Sequence, residues 1–233
     1  MSHIAFSSYS CSRTWRVLAI GAALGGLLIR AETAAPQVRE AVSLDTLPSA
    51  GNPYSSMRML LEKTFLKVDV LKLEIRFAGE DARRIERLAS GGKYSEELAE
   101  SIAQIGINSL NAYARIEFVR NISLEQFVDG VREDVGKVRD AGIIAEADFE
   151  MISEGIPHWF GFLEERRILN GDQIHYRIRG DTLRTVYLGV DGDIALDQTD
   201  VGPVRRLAVL GSYLAPKSNF RKDLIKSLFR TGP

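Results

Sequence analysis

One cysteine in 233 residues, Cys11, leaves no disulfide framework and no thiol nucleophile in the body of the chain. The three histidines, His3, His158 and His175, share no metal-ligand spacing, so neither a metal nor a cofactor is expected. There is no glycine-rich phosphate loop of the Walker or dinucleotide type, and no G-x-S-x-G nucleophile turn. Neither sign of charge predominates: 30 Lys and Arg stand against 31 Asp and Glu, a formal net charge of -1. That balance gives no electrostatic case for nucleic acid or an anionic membrane as partner. Internal repeats and low-complexity tracts are missing too. What is present is 45% hydrophobic and 26% charged residues, the composition of a globular protein with one sizeable domain.

The N-terminal stretch differs from the rest. Arg13 and Arg16 precede an apolar run over residues 17–29, and the small residues of "RAETAAP" follow. A basic start, an apolar run and a small-residue exit read as a secretory signal. The run is shorter than the about 20 residues of a comfortable membrane span. Residues 1–35 are therefore expected to be a signal peptide or an uncleaved N-terminal anchor, which would be the chain's only membrane association. The protein is expected to be exported, periplasmic or envelope-associated. Residues 36–56, with Pro36, Pro48 and Pro53, read as a linker, and residues 57–230 as the folded domain.

Periodicity orders the domain. Residues 57–77 are extended, either two strands bent near Glu62-Lys63 or one long strand. Within "FLKVDVLKLEIRF" the apolar face changes sides, so Lys67 and Asp69 share a face with Leu71, Leu73, Ile75 and Phe77. A wet strand end and the floor of a cavity both fit that switch. Residues 80–90 and 95–106 read as amphipathic helices, and 111–122 as a strand. Ser123 with Gln126 predicts a capping box for a helix running to about Gly142, with Phe127, Val131, Val135 and Val138 on its inward stripe. A helix from about Ala145 leads into "HWFGF", whose rings are expected in the core. A hairpin turning at Gly180-Asp181 follows, which makes "RGD" a turn. Two helices close the chain from Val204, with Ser218 as the expected N-cap of the second. The order predicts an α+β fold, an antiparallel sheet with helices packed on one face.

Arg58, Arg115 and Arg120 sit in or beside strands, and a guanidinium suits a carboxylate or a polarised carbonyl. A strand arginine is as readily a solvated one.

Five segments carry a resemblance: "SSMRMLLEKTFLKVDVLKLEIRF", "YSEELAESIAQI", "RNISLEQFVDGVREDVGKVRDAG", "LNGDQIHYRIRGDTLRTVYLGVDG" and "VLGSYLAPKSNFRKDLIKSL". In that order they resemble the chalcone isomerase family, in the manner of its bacterial chalcone isomerase-like members. The resemblance implies an open-faced β-sandwich-like sheet with a ligand cleft between sheet and helices. It places Arg58 near the family's cleft arginine, which polarises a ketone in the enzymes and grips a carboxylate in fatty-acid binders. Asp69 falls where the enzymes carry threonine, Phe127 where they carry tyrosine, and Asp134 where they carry asparagine. Phe127 cannot donate a hydrogen bond, and carboxylates at 69 and 134 would repel a developing enolate, so chalcone cyclisation is not expected. The expected function is binding of a fatty acid or other small apolar ligand, through Arg58, Lys67, Asp69, Phe127 and Asp134. Two alternatives stand beside it. One is an isomerase, an intramolecular lyase acting on an unknown enone through Arg58 and Asp69; the other is a non-catalytic envelope interaction protein.

Overall fold

The computed structural model describes the backbone of residues 55–63 and 68–229, with side chains for 55–59 and 71–229. The expected signal or anchor, residues 1–35, and the linker up to residue 54 lie outside the described residues.

Residues 57–77 resolve into two strands, β1 (Ser55–Lys63) and β2 (Val68–Phe77), paired antiparallel with a register shift between Leu61 and Glu62. They begin a six-stranded sheet that continues in chain order through β3 (Asn111–Phe118), β4 (Gln173–Arg179), β5 (Thr182–Leu188) and β6 (Ile194–Val201), every pair antiparallel. Between β2 and β3 run α1 (Gly79–Ser90) and α2 (Glu96–Ile107); between β3 and β4 run α3 (Leu124–Asp140), α4 (Glu146–Trp159) and the single turn α5 (Leu163–Arg166). Helices α6 (Pro203–Leu214) and α7 (Arg221–Ser227) follow β6. The architecture is α+β, an antiparallel sheet with helices packed on one face.

Period two decides which face is covered. Leu73, Ile75 and Phe77 of β2, and Ala112, Ala114, Ile116 and Phe118 of β3, are all buried toward the helices. Two glycines let the helices close on one another. A Cβ on Gly211 of α6 would stand 2.7 Å from Val138 Cγ1 of α3, and one on Gly106 of α2 would stand 2.5 Å from Leu214 Cδ1. At the other end of α3 the expected capping box forms. Gln126 N–H donates to Ser123 Oγ and the Gln126 side chain accepts from the Ser123 backbone, both at 3.1 Å.

Two expectations change. Ser218 does not cap α7, whose N-cap is Phe220; its hydroxyl donates to the Ser212 carbonyl at 2.6 Å and accepts from the Phe220 N–H, folding the α6–α7 turn. And the sheet has a strand, β6, beyond the expected hairpin. Gly180, at φ 58, makes the "RGD" turn of that hairpin, where a residue without Cβ is favoured. No helix among the described residues is long and apolar enough to cross a membrane.

Candidate functional site

One cross-strand row explains where the interior opens. Pairing places Met57, Ile75, Ala114, Tyr176, Thr185 and Gln198 side by side from β1 to β6, all on the helix-facing side. The row is apolar through β3 and polar from β4 onward. Leu183 pairs with Asp200 beside it, and Tyr187 with Leu196 on the other flank. Over this polar half the helices meet the sheet only in part, as where Tyr213 of α6 bonds to Tyr176 of β4. A cavity of about 120 Å³ remains between β3–β6 and helices α3, α4 and α6.

Its roof is apolar. The stripe of α3 contributes Phe127, Val131 and Val135, and α4 contributes Ile152, Ile156 and Trp159, with Phe160 following. Phe127 and Phe160 meet edge-to-face with centroids 4.9 Å apart, a favoured ring geometry. Gly155 gives Trp159 its place, since a Cβ there would overlap the indole. Ala208 and Val209 of α6 complete the wall.

The charged groups at the rim are paired. Arg205 lies over the Trp159 ring at 3.9 Å and reaches Asp200 at 3.1 Å; Gln198 Nε2 donates to the same carboxylate at 3.0 Å. Asp134 meets Lys137 at 3.0 Å, and Lys137 also meets Glu133 at 2.8 Å. Burial would depress the Lys137 ammonium, but hydrogen bonds to Glu133 and Asp134 outweigh it and hold the group above its usual range. Deeper in, burial pushes the Tyr176 phenol up to about 12, and burial together with Tyr176 and Asp134 pushes Tyr213 well above its ordinary value. Both phenols are neutral at physiological pH, and neither suits a general base there. Among the described residues no three His, Cys, Asp or Glu side chains cluster as metal ligands.

The residues expected from the sequence divide. Phe127 and Asp134 line the cavity. Arg58 does not: Met57 faces the helices, so its neighbour projects from the opposite face of the sheet, two-thirds exposed. There Arg58 Nε donates to Glu74 at 3.0 Å, and Arg76 and Arg115 bind the same carboxylate at 2.8 and 3.1 Å. Burial works to raise Glu74, but the arginines and Ser56 outweigh it and lower the group. Arg58 and Arg115 are thus ion-pair residues of the outer face. Lys67 lies outside the described residues. Asp69 has its backbone in β2, opposite Glu62, and its side chain also lies outside them.

Tyr176, Thr185, Gln198, Trp159, Arg205 and Tyr213 belong to the site and were not among the expected residues. Tyr176 was readable as a polar interruption on the apolar phase of its strand. The others need cross-strand register or the α4–α6 approach, which one sequence does not display.

Among solved structures the chain is similar to a fatty-acid binding protein of Arabidopsis thaliana, with a TM-score of 0.50 and 13% identity over 76% of this chain and 86% of that one. The fold is chalcone isomerase-like. No protein-family model matches the chain, and no curated protein matches it in sequence. In the chalcone isomerase-like fold seen here, the sheet–helix cavity opens under β3–β6, away from the β1–β2 hairpin that carries Arg58 and Asp69.

Proposed function

We propose that this protein binds a small apolar ligand, of the class that includes fatty acids, in the cavity under α3, α4 and α6. One observation carries the reading: an apolar-walled space inside the domain with polar groups gathered at its floor and rim, the usual character of a ligand pocket. An engineered apolar cavity of about 150 Å³ holds one benzene, so a space of this size takes a short chain or a single ring before any widening. The similarity to a fatty-acid binding protein supports the same class. Each methylene buried stabilises the complex by roughly 0.8 kcal/mol before the costs of association. Phe127 and Trp159 serve as walls and Asp134 as part of the rim, while Arg58, on the other face, takes no part. Export, read from residues 1–35, would place the encounter in the envelope.

The test is mass spectrometry of an organic extract of the natively purified protein, alongside a Val131→Phe variant that fills the cavity from α3. A stoichiometric small apolar molecule in the wild type, lost in a variant of unchanged melting temperature, is the expected result. An empty wild type that also fails to bind an added short-chain apolar ligand sinks the reading.

A further inference from the structure

We propose that the cavity selects a ligand whose polar head is uncharged, an inference that rests on the ligand-binding reading above and narrows it away from ionised fatty acids. Two features of the floor and rim carry it.

The first is unused hydrogen-bonding capacity. Thr185 and Ser212 are each only 8% exposed and line the cavity from the sheet and from α6. Neither hydroxyl has a hydrogen-bond partner among the described residues. Tyr176 and Tyr213, which interact with each other, line the same space. Neither oxygen is an enclosed orphan, so both are reachable from the cavity and can hydrogen-bond to what enters it.

The second is charge. Three ionisable side chains other than phenols line the space, Asp134, Asp200 and Arg205, and each is engaged: Arg205 with Asp200 at 3.1 Å, Asp134 with Lys137 at 3.0 Å. A carboxylate brought inside would find no cation that is not already bound to an acid, and two carboxylates close by. An ammonium would find both acids neutralised. Burying either ion without a counter-charge is costly, whereas a hydroxyl, amide or protonated acid exchanges hydrogen bonds with the open hydroxyls at little cost.

The probes that decide this share one tail: 1-octanol, octanoate and octylammonium. Their binding to the full chain at neutral pH is measured directly by isothermal titration calorimetry. Octanol is expected to bind about ten-fold or more tightly than either ion, a gap corresponding to a single well-made polar difference. Asp200→Asn, which frees Arg205, is expected to strengthen octanoate several-fold relative to octanol. Thr185→Val combined with Ser212→Ala is expected to weaken octanol. Octanoate binding as tightly as octanol to the wild type overturns the uncharged-head inference and leaves the binding reading standing. Binding of none of the three overturns both.

Discussion

Strand β5 carries two buried polar side chains two positions apart on the same face, Thr185 and Tyr187, and they meet opposite fates. The Tyr187 hydroxyl donates at 2.6 Å to Asp172, a fully buried carboxylate just before β4. That carboxylate also takes both Nη atoms of Arg166, at 3.0 and 3.1 Å, and the backbone N–H groups of Leu169 and Val190, at 2.8 and 2.9 Å. Each of its oxygens is satisfied from within the protein. The Thr185 hydroxyl, facing the cavity, has no partner among the described residues. Buried polarity alone therefore does not mark a site. A closed cluster stiffens the loops it ties together, and an open one leaves chemistry for something else to complete.

The comparison breaks most severely at Asp172. Removing one member of a buried ion pair strands the other, so Asp172→Asn is expected to cost about 3 kcal/mol, read by denaturant unfolding. Acidity sharpens the point. Burial alone would raise the Asp172 carboxyl, but Tyr187, the Leu169 and Val190 N–H groups and Arg166 together hold it below its ordinary 3.8. A lowered folded value means this stability is present above the unfolded value near 3.8 and is lost as pH falls through the folded one. The wild type is expected to lose stability steeply below that pH. The variant is expected to lose less, with Glu74, lowered against its own burial by its arginines, supplying part of the remaining slope. Equal acid slopes in the two proteins would contradict the assignment. Tyr187→Phe removes one donor to the same charge and is expected to cost about 2 kcal/mol.

How much of this was legible beforehand depends on what each pattern encodes. Helices α1 to α4 and strands β2 to β5 follow from periodicity, and the Ser123–Gln126 capping box from spacing alone. Strand β6 did not, because its inward positions Leu196, Gln198 and Asp200 turn polar where the edge of the sheet meets the cavity mouth. The irregularity that hid the strand is the property that makes it part of the site. Phe127 and Asp134 were read from the family resemblance and lie on α3, whose inward face lines the cavity. Arg58 came the same way and faces out, because strand parity counted from buried Met57 outweighs a loose alignment across a bent hairpin. The Tyr176–Thr185–Gln198 row exists only once three strands are in register, and no single segment announces it.

The gentlest substitution tests the idea most directly. Thr185→Val swaps a hydroxyl for a methyl at nearly the same shape, two positions from Tyr187. If the hydroxyl makes no bond within the protein, its loss forfeits nothing and removes a buried polar group that lacks compensation, so stability is expected to change by less than about 1 kcal/mol, in either direction. The matched pair of midpoints, Thr185→Val against Tyr187→Phe in the same denaturant series, supplies the measurement. A loss at Thr185 as large as that at Tyr187 would mean the hydroxyl is already bonded inside the fold, and the cavity floor would then be as closed as the Asp172 cluster. A small change in stability accompanied by weakened octanol binding is the result that separates the two kinds of buried polar group on one strand.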